Sequence, residues 1–257
     1  MPVNYRTIHG ILDRDNFTLN PTSCKAKFTT AHLTSSLGAH ATASSRFRAS
    51  ECEKLSFKPR LSFRLFGPTN RGGHPKLKAT LKMPAGGANI AATSVALPAS
   101  EFLDQGHIRT ICTRVQFAAK NCPAGSVYGF ASAKTPLLEE RLSGPVYLRS
   151  SSNPLPDLVA VLKGPDSLPI EAHLTGRVDS DAKGGIRNTF EFVPDAPVSE
   201  FTLIMQGASK GLLINSTNIC KKTYRATAKF TAHNGRSLTV RPPMKASCGK
   251  KSSGKRR

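Results

Sequence analysis

Hydrophobic and polar positions alternate with a period of two over much of this chain, the pattern of strands that bury one face. Leu61, Phe63 and Leu65 alternate with Ser62 and Arg64, and Leu77, Ala79 and Leu81 alternate with Lys76, Lys78, Thr80 and Lys82. Between these runs lies Gly67-Pro-Thr-Asn-Arg-Gly-Gly-His-Pro75, dense in turn formers, which predicts a hairpin connection. Further strands are predicted over 91–97, 127–133, 146–149, 158–162, 170–178, 189–193 and 201–205. Residues 224–233 and 236–240 flank Asn234-Gly235, the preferred dipeptide of a type I′ hairpin turn.

One helix interrupts the alternation. Thr113 and Gln116 stand at capping-box spacing, so the Thr hydroxyl can accept from the third helical amide while the Gln side chain reaches back. The helix is predicted over 114–120, and Pro123 blocks its extension. Many short strands with Gly and Pro punctuation predict an all-β fold, read here as β-sandwich repeat domains with one short helix between Cys112 and Cys122.

Composition changes this picture chiefly through charge. Thirty-seven Lys and Arg against sixteen Asp and Glu give +21 over 257 residues. Such a chain attracts polyanions of any kind. No acidic residue occurs from Lys54 to Ser100 or from Phe201 to Arg257, whereas 151–200 is net acidic. The last nine residues, 249–257, are predicted to form a disordered basic tail, with Lys250, Lys251, Lys255, Arg256 and Arg257 as polyanion-binding residues. No apolar run approaches the ~18 residues of a membrane span, so no transmembrane segment is expected. The first residues lack the apolar core of a signal peptide.

The cysteines point away from a reducing compartment. Cys24 and Cys52 are 28 positions apart, as are Cys220 and Cys248. The surroundings match: Asn20-Pro-Thr-Ser-Cys24-Lys against Asn215-Ser-Thr-Asn-Ile-Cys220-Lys, an aromatic four residues on (Phe28, Tyr224), and a close at Ala49-Ser-Glu-Cys52 against Ala246-Ser-Cys248. Upstream, Ile8-His-Gly-Ile-Leu parallels the apolar strand Phe201-Thr-Leu-Ile-Met. This reads as an internal repeat. Residues 1–53 are expected to be the C-terminal part of a truncated preceding β repeat, and 54–248 a complete β-sandwich domain. Three disulfides are expected, Cys24–Cys52, Cys112–Cys122 and Cys220–Cys248, in an oxidising destination. No cysteine pair has the short spacing of a zinc site.

Several long stretches resemble the C-terminal part of large secreted actinobacterial β-repeat proteins. They are Leu55-Ser-Phe-Lys-Pro-Arg-Leu, Arg71-Gly-Gly-His-Pro-Lys-Leu, residues 112–129 (CTRVQFAAKNCPAGSVYG), Gly144-Pro-Val-Tyr-Leu-Arg-Ser, Pro194-Asp-Ala-Pro-Val-Ser and Arg241-Pro-Pro-Met-Lys-Ala-Ser-Cys. The resemblance implies export and tandem β domains, and no activity. Members similar to this chain continue upstream through further domains and a signal sequence. The resemblance therefore implies that a signal peptide, and upstream repeats of the same protein as partners, lie before Met1.

Candidate chemistry is sparse. The seven histidines form no metal-spaced pair. His107, three residues after Asp104 in a loop before the helix, is the best acid–base candidate; a loop that merely orders the helix entry explains it as well. His173 is placed on the solvent side of a strand. Glu171 and Glu191 are a conceivable glycosidase pair, yet both fall on the polar side of alternating strands. Asp179 and Asp181 open Asp179-Ser-Asp-Ala-Lys-Gly-Gly, which resembles the start of a calcium loop; the closing Glu is missing and a hairpin tip explains it equally. No metal beyond this candidate, no cofactor and no enzyme activity are expected. With no Trp, and Phe assigned mostly to inward positions, no stacking platform for specific nucleic-acid binding is expected.

The expectation is a non-enzymatic protein, extracellular or on the cell surface, structural or adhesive. A basic face and tail would suit an anionic cell-envelope polymer. The alternative is a carbohydrate-binding module, with Tyr128, Tyr147 and Tyr224 as its aromatic candidates.

Overall fold

The computed structural model describes residues 7, 9–11, 18–180 and 185–248. The fold is all-β. Its first eight strands are β1 (Lys27–Thr34), β2 (His40–Phe47), β3 (Arg60–Phe66), β4 (Lys76–Lys82), β5 (Ile90–Ala96), β6 (Glu101–Leu103), β7 (Val127–Lys134) and β8 (Leu142–Arg149). After helix α1 (Arg114–Ala118), which precedes β7, come β9 (Asp157–Lys163), β10 (Glu171–Ser180), β11 (Ile186–Phe190), β12 (Glu200–Met205), β13 (Leu213–Asn215), β14 (Thr227–Ala232), β15 (Ser237–Val240) and β16 (Met244–Ala246).

Twelve of these strands form one sheet, ordered β15-β14-β5-β11-β10-β9-β8-β7-β12-β4-β3-β16. The ladders link the twelve strands into one large curled sheet, in which β10 pairs β9 through Glu171–Gly176 and β11 through Arg177–Ser180. Its edge strands β15 and β16 are neighbours in the chain, joined only through residues 241–243. That link is itself held, since the Ala226 amide donates to Pro242 O at 3.0 Å and the Met244 amide to Tyr224 O at 2.8 Å. Two prolines suit a link that has no ladder to serve.

The inward faces of the curl make the core. Phe63, Leu65 and Leu77 pack with Val146, Leu148 and Met205 in the larger cluster, while Ile90, Ala228 and Phe230 anchor a second. Between β3–β4–β12 and β5–β11–β14 a void of about 140 Å³ remains, lined by Phe63, Ala79, Val95, Phe190 and Phe230 among others.

The remaining strands form two small ladders, β1–β2 and β13–β6. The β1–β2 hairpin is solvent-exposed almost throughout, including Phe28 and Leu33. It is tied to the body through its flanks. The Asp195 carboxylate accepts from Thr22 Oγ1 at 2.6 Å, the Ser23 amide at 3.0 Å and Asn89 Nδ2 at 2.9 Å. On the other side Asn234 Nδ2 donates to Cys52 O at 2.9 Å and Leu55 O at 3.2 Å.

The capping box forms: the Gln116 amide donates to Thr113 Oγ1 at 3.1 Å and the Thr113 amide to Gln116 Oε1 at 2.9 Å. The helix stops at Ala118, short of the predicted Lys120, which lies in the left-handed region at φ 53°. The β14–β15 turn differs from the prediction. Only Gly235 has positive φ (85°), and the Gly235 amide donates to Ala232 O while the Ala232 amide donates to Arg236 O. This is a three-residue loop closed by a left-handed glycine, not a two-residue type I′ turn. Asn234 does not take the positive φ that a type I′ turn needs, and its side chain is committed to the Cys52 segment. Of the expected strand at 8–12, residues 9–11 are not strand and the others lie outside the described residues.

Candidate functional site

The outer face of β16, β3 and β4 carries the charge that composition announced. In register, Arg60 lies opposite Lys82, Arg64 opposite Lys78, and Phe66 opposite Lys76. The parallel strand β16 adds Lys245 beside Arg64. Because directly paired residues share a face, Lys245, Arg64 and Lys78 form a transverse row, and Arg60 with Lys82 form another. Neighbouring strands are about 4.8 Å apart and same-face residues about 7 Å apart along a strand, so the cations form a compact grid. Like charges directly opposite one another destabilise a sheet.

Among the described residues no carboxylate forms a salt bridge with Arg60, Arg64, Lys76, Lys78 or Lys245. Glu200, opposite Lys82 on the adjoining strand β12, is already engaged. Arg141 Nη1 lies 2.9 Å and Lys82 Nζ 3.6 Å from its carboxylate, and the Arg141 hydrogen bond above all holds it below the ordinary carboxylate range. Phenylalanines also lie on this side of the sheet: Phe66 is partly exposed and Phe130, in the row of Lys78 and Ile204, is 52% exposed. The inward placement expected for phenylalanine therefore fails for these two. It fails as well for Phe28, Phe47, Phe102 and Phe192, all exposed.

The cysteines are joined as Cys24–Cys52, Cys112–Cys122 and Cys220–Cys248, with Cα separations of 5.6, 5.1 and 5.7 Å. The two 28-residue loops enclose the hairpins β1–β2 and β14–β15, and the short one brackets α1. The five tail cations Lys250, Lys251, Lys255, Arg256 and Arg257 lie outside the described residues, as does Asp181. Its partner in the calcium proposal, Asp179, is already bound by cationic side chains. Arg187 Nε lies 2.7 Å from one carboxylate oxygen and Arg177 Nη1 2.7 Å from the other; the Arg187 hydrogen bond is the main cause of its lowered pKa.

Glu171 and Glu191 are likewise held by cations. Lys120 Nζ at 2.9 Å and His173 Nε2 at 2.7 Å, in that order of effect, lower the Glu171 pKa to about 2, and Arg177 lies 3.8 Å from Glu191. His173 is exposed as expected, though edge-on to Phe117 at 5.2 Å. Tyr128 is buried, its hydroxyl accepting from the Arg109 amide and donating to His107 O. It thus cannot form a row of exposed aromatics with Tyr147 and Tyr224.

His107 and Asp104 do come together, and a third residue joins them. His74, 30 positions earlier, places Nε2 2.7 Å from Asp104 Oδ2, while His107 Nε2 lies 3.8 Å from the same oxygen. The two imidazoles stack at 4.2 Å. The hydrogen bond from His74 leads the causes that hold Asp104 below the ordinary carboxylate range. No short-range motif links His74 to the other two; its only sequence signal is a place in the turn-rich 67–75 connection. No family model matches this chain, and the comparison with curated proteins gave no match.

Proposed function

We propose that this protein is a non-enzymatic, exported β-repeat protein that holds an anionic cell-envelope polymer against the outer face of β16, β3 and β4. One observation carries the reading: five cations lie on adjacent strands, with like charges directly opposite and no acid to neutralise them. A sheet face that served only solubility would gain stability from alternating signs. A face shaped to meet a repeating anion would keep the cations together and release counterions on binding. Phe66 and Phe130 add apolar contact beside the charges. In sequence, the five tail cations follow shortly after Lys245 and extend the same sign.

Three disulfides support an oxidising destination. The paired 28-residue loops and the resemblance to secreted repeat proteins support tandem copies in a longer chain. The carbohydrate-module alternative has less to rest on, since Tyr128 is buried.

The test is retention of the disulfide-intact protein on immobilised inorganic polyphosphate and on anionic-lipid vesicles, at about 0.15 M salt. Retention on polyphosphate that is lost in the Arg64→Glu/Lys78→Glu variant supports the reading. Equal retention of variant and wild type, or none for either, overturns it. Retention on vesicles alone moves the partner from polymer to membrane surface and overturns the polymer assignment.

A further inference from the structure

The His74–Asp104–His107 cluster lies in the loops that precede β4 and follow β6, and its three side chains are not used by the reading above. Each side chain has a structural reason to stand where it does. The Asp104 amide donates to Leu212 O at 2.8 Å, and Asp104 Oδ1 accepts from the Gly106 amide at 2.9 Å. That leaves Oδ2 for the histidines. His74 O accepts from the Ala208 amide at 3.0 Å, and a side chain at Gly211 would collide with His74 Cβ, so the imidazole is held from two sides. All three side chains are about one-fifth exposed, at 20%, 23% and 20%.

The decisive contact is made by His107 Nδ1, which lies 2.8 Å from Gly211 O. A carbonyl oxygen only accepts, so Nδ1 carries a proton. In the neutral ring Nε2 is then a bare lone pair. It lies 3.8 Å from Asp104 Oδ2, a second acceptor, and His74 Nε2 lies 2.7 Å from the same oxygen. Two acceptors converging in this way call for a cation between them. A backbone carbonyl fixing the distal nitrogen of an imidazole is also the usual support for a metal-ligating histidine.

We propose that His74 Nε2, His107 Nε2 and Asp104 Oδ2 bind a divalent transition-metal ion of the zinc class. One donor atom from each of the three residues lies within 4.8 Å of the others, and two imidazoles with one carboxylate suit zinc, cobalt, nickel or copper rather than calcium or magnesium. The partial exposure leaves a fourth position for water. Binding requires His74 to give up its Nε2 proton, either to solvent or by moving it to its own Nδ1, and requires the two stacked rings to turn out of parallel, because imidazole lone pairs lie in the ring planes; the His74–Asp104 hydrogen bond is then replaced by two metal bonds. The ion would join the 71–75 and 104–107 segments, which no disulfide connects, while 208–211 is held to both by hydrogen bonds. The proposal does not rest on the polymer reading.

The experiment is zinc titration of untagged, metal-stripped, disulfide-intact protein by calorimetry. Imidazole nitrogen shifts are followed in parallel by long-range ¹H–¹⁵N NMR. The expected result is one ion per chain, with Nε2 of both His74 and His107 shifting and His107 Nδ1 remaining protonated. His107→Ala and His74→Ala should each weaken binding by about tenfold or more. The control His32→Ala/His40→Ala, on the exposed hairpin, should bind as wild type. The NMR arm uses unaltered protein, so a misfolded variant does not remove the test. The proposal is overturned by absence of binding at millimolar zinc, or by binding that leaves the His74 and His107 resonances in place. A His107 ring protonated on both nitrogens at neutral pH, and unchanged by zinc, assigns the bridging cation as a proton and also overturns it.

Discussion

Glu101 is a fully buried carboxyl group, and replacing it with Gln tests how the fold tolerates it. The residue opens β6 opposite Asn215 of β13, and the two side chains are 0% and 1% exposed. Glu101 Oε2 accepts from Ser100 Oγ at 2.6 Å, whereas Glu101 Oε1 and Asn215 Oδ1 have no hydrogen-bond partner among the described residues. Burial pushes the Glu101 pKa up from 4.5 to about 7, the Ser100 hydrogen bond pulling it back only in part. The unfolded chain releases this proton above pH 4.5, while the native state keeps it until about pH 7. Stability from this group is therefore complete below pH 4.5, falls as pH rises toward 7, and is flat beyond. A shift of about 2.5 units at 1.36 kcal/mol per unit makes the loss about 3 kcal/mol.

Glu101→Gln stays neutral at every pH and retains an acceptor for Ser100. Urea unfolding of the disulfide-intact protein between about pH 4.5 and 8 should show the variant gaining on wild type by about 3 kcal/mol across that range. Near pH 4.5 the two should differ by about 1 kcal/mol or less. The carboxylates with lowered pKa values titrate below this window, and taking the difference cancels the histidines. Parallel stability profiles for the two proteins would refute the reasoning.

Other outcomes follow from the same structure. Replacing Cys220 and Cys248 together with Ser should cost about 3–4 kcal/mol in reversible unfolding, the closure entropy of a 28-residue loop; a change below about 1 kcal/mol would contradict it. Asp195→Ala removes the acceptor shared by Thr22, Ser23 and Asn89. It should raise amide hydrogen exchange at Ser23 and Asn89 while β7–β9 stay protected, and unchanged exchange there would show that the tether does not hold the N-terminal segment. Burial alone would raise the Asp195 pKa, but hydrogen bonds from Thr22 and Asn89 lower it below its ordinary value, so the tether should be intact above pH 4 and loosen as pH falls further. Lys78→Glu places opposite charges across β3–β4 and should raise stability by about 0.5 kcal/mol while weakening polyphosphate retention. A variant that loses stability would contradict the like-charge reading.

Much of the sheet was legible because its strands bury one face. Phe63 and Leu65 against Arg64, and Leu77 against Lys76 and Lys78, carry the period of two directly. The hairpin β1–β2 was not, because Thr29, Thr30 and Ala31 give no amphipathic contrast in a strand exposed on both sides. Only the second half of β8 was predicted, since Gly144-Pro145 reads as a break. In the structure these two residues lie where the β8 ladder to β9 is interrupted, between Ser143–Lys163 and Val146–Ala160. The capping box was readable because all its parts lie within four residues.

The loop cluster was half legible: Asp104 and His107 are local neighbours, but His74 reaches them only through tertiary folding. The basic rows show the same division. Each strand announces its own lysines or arginines, while their direct opposition depends on the register set by the connection over 67–75. Glu101 gave no signal beyond ending a long acid-free stretch. Asn234-Gly235 marked a turn correctly and its type wrongly, because the Asn side chain is held by contacts to Cys52 and Leu55 that no local pattern contains.

The central claim is that the grid of unneutralised cations on β16, β3 and β4 grips a repeating anion. The most direct measurement is the polyphosphate association constant as a function of salt, for wild type and for Arg64→Glu/Lys78→Glu. Five engaged cations predict a log–log slope of about −3.5 for the wild-type face, shallower by at least about 1.4 when two are removed. Identical slopes for the two proteins would place the binding elsewhere and contradict the account.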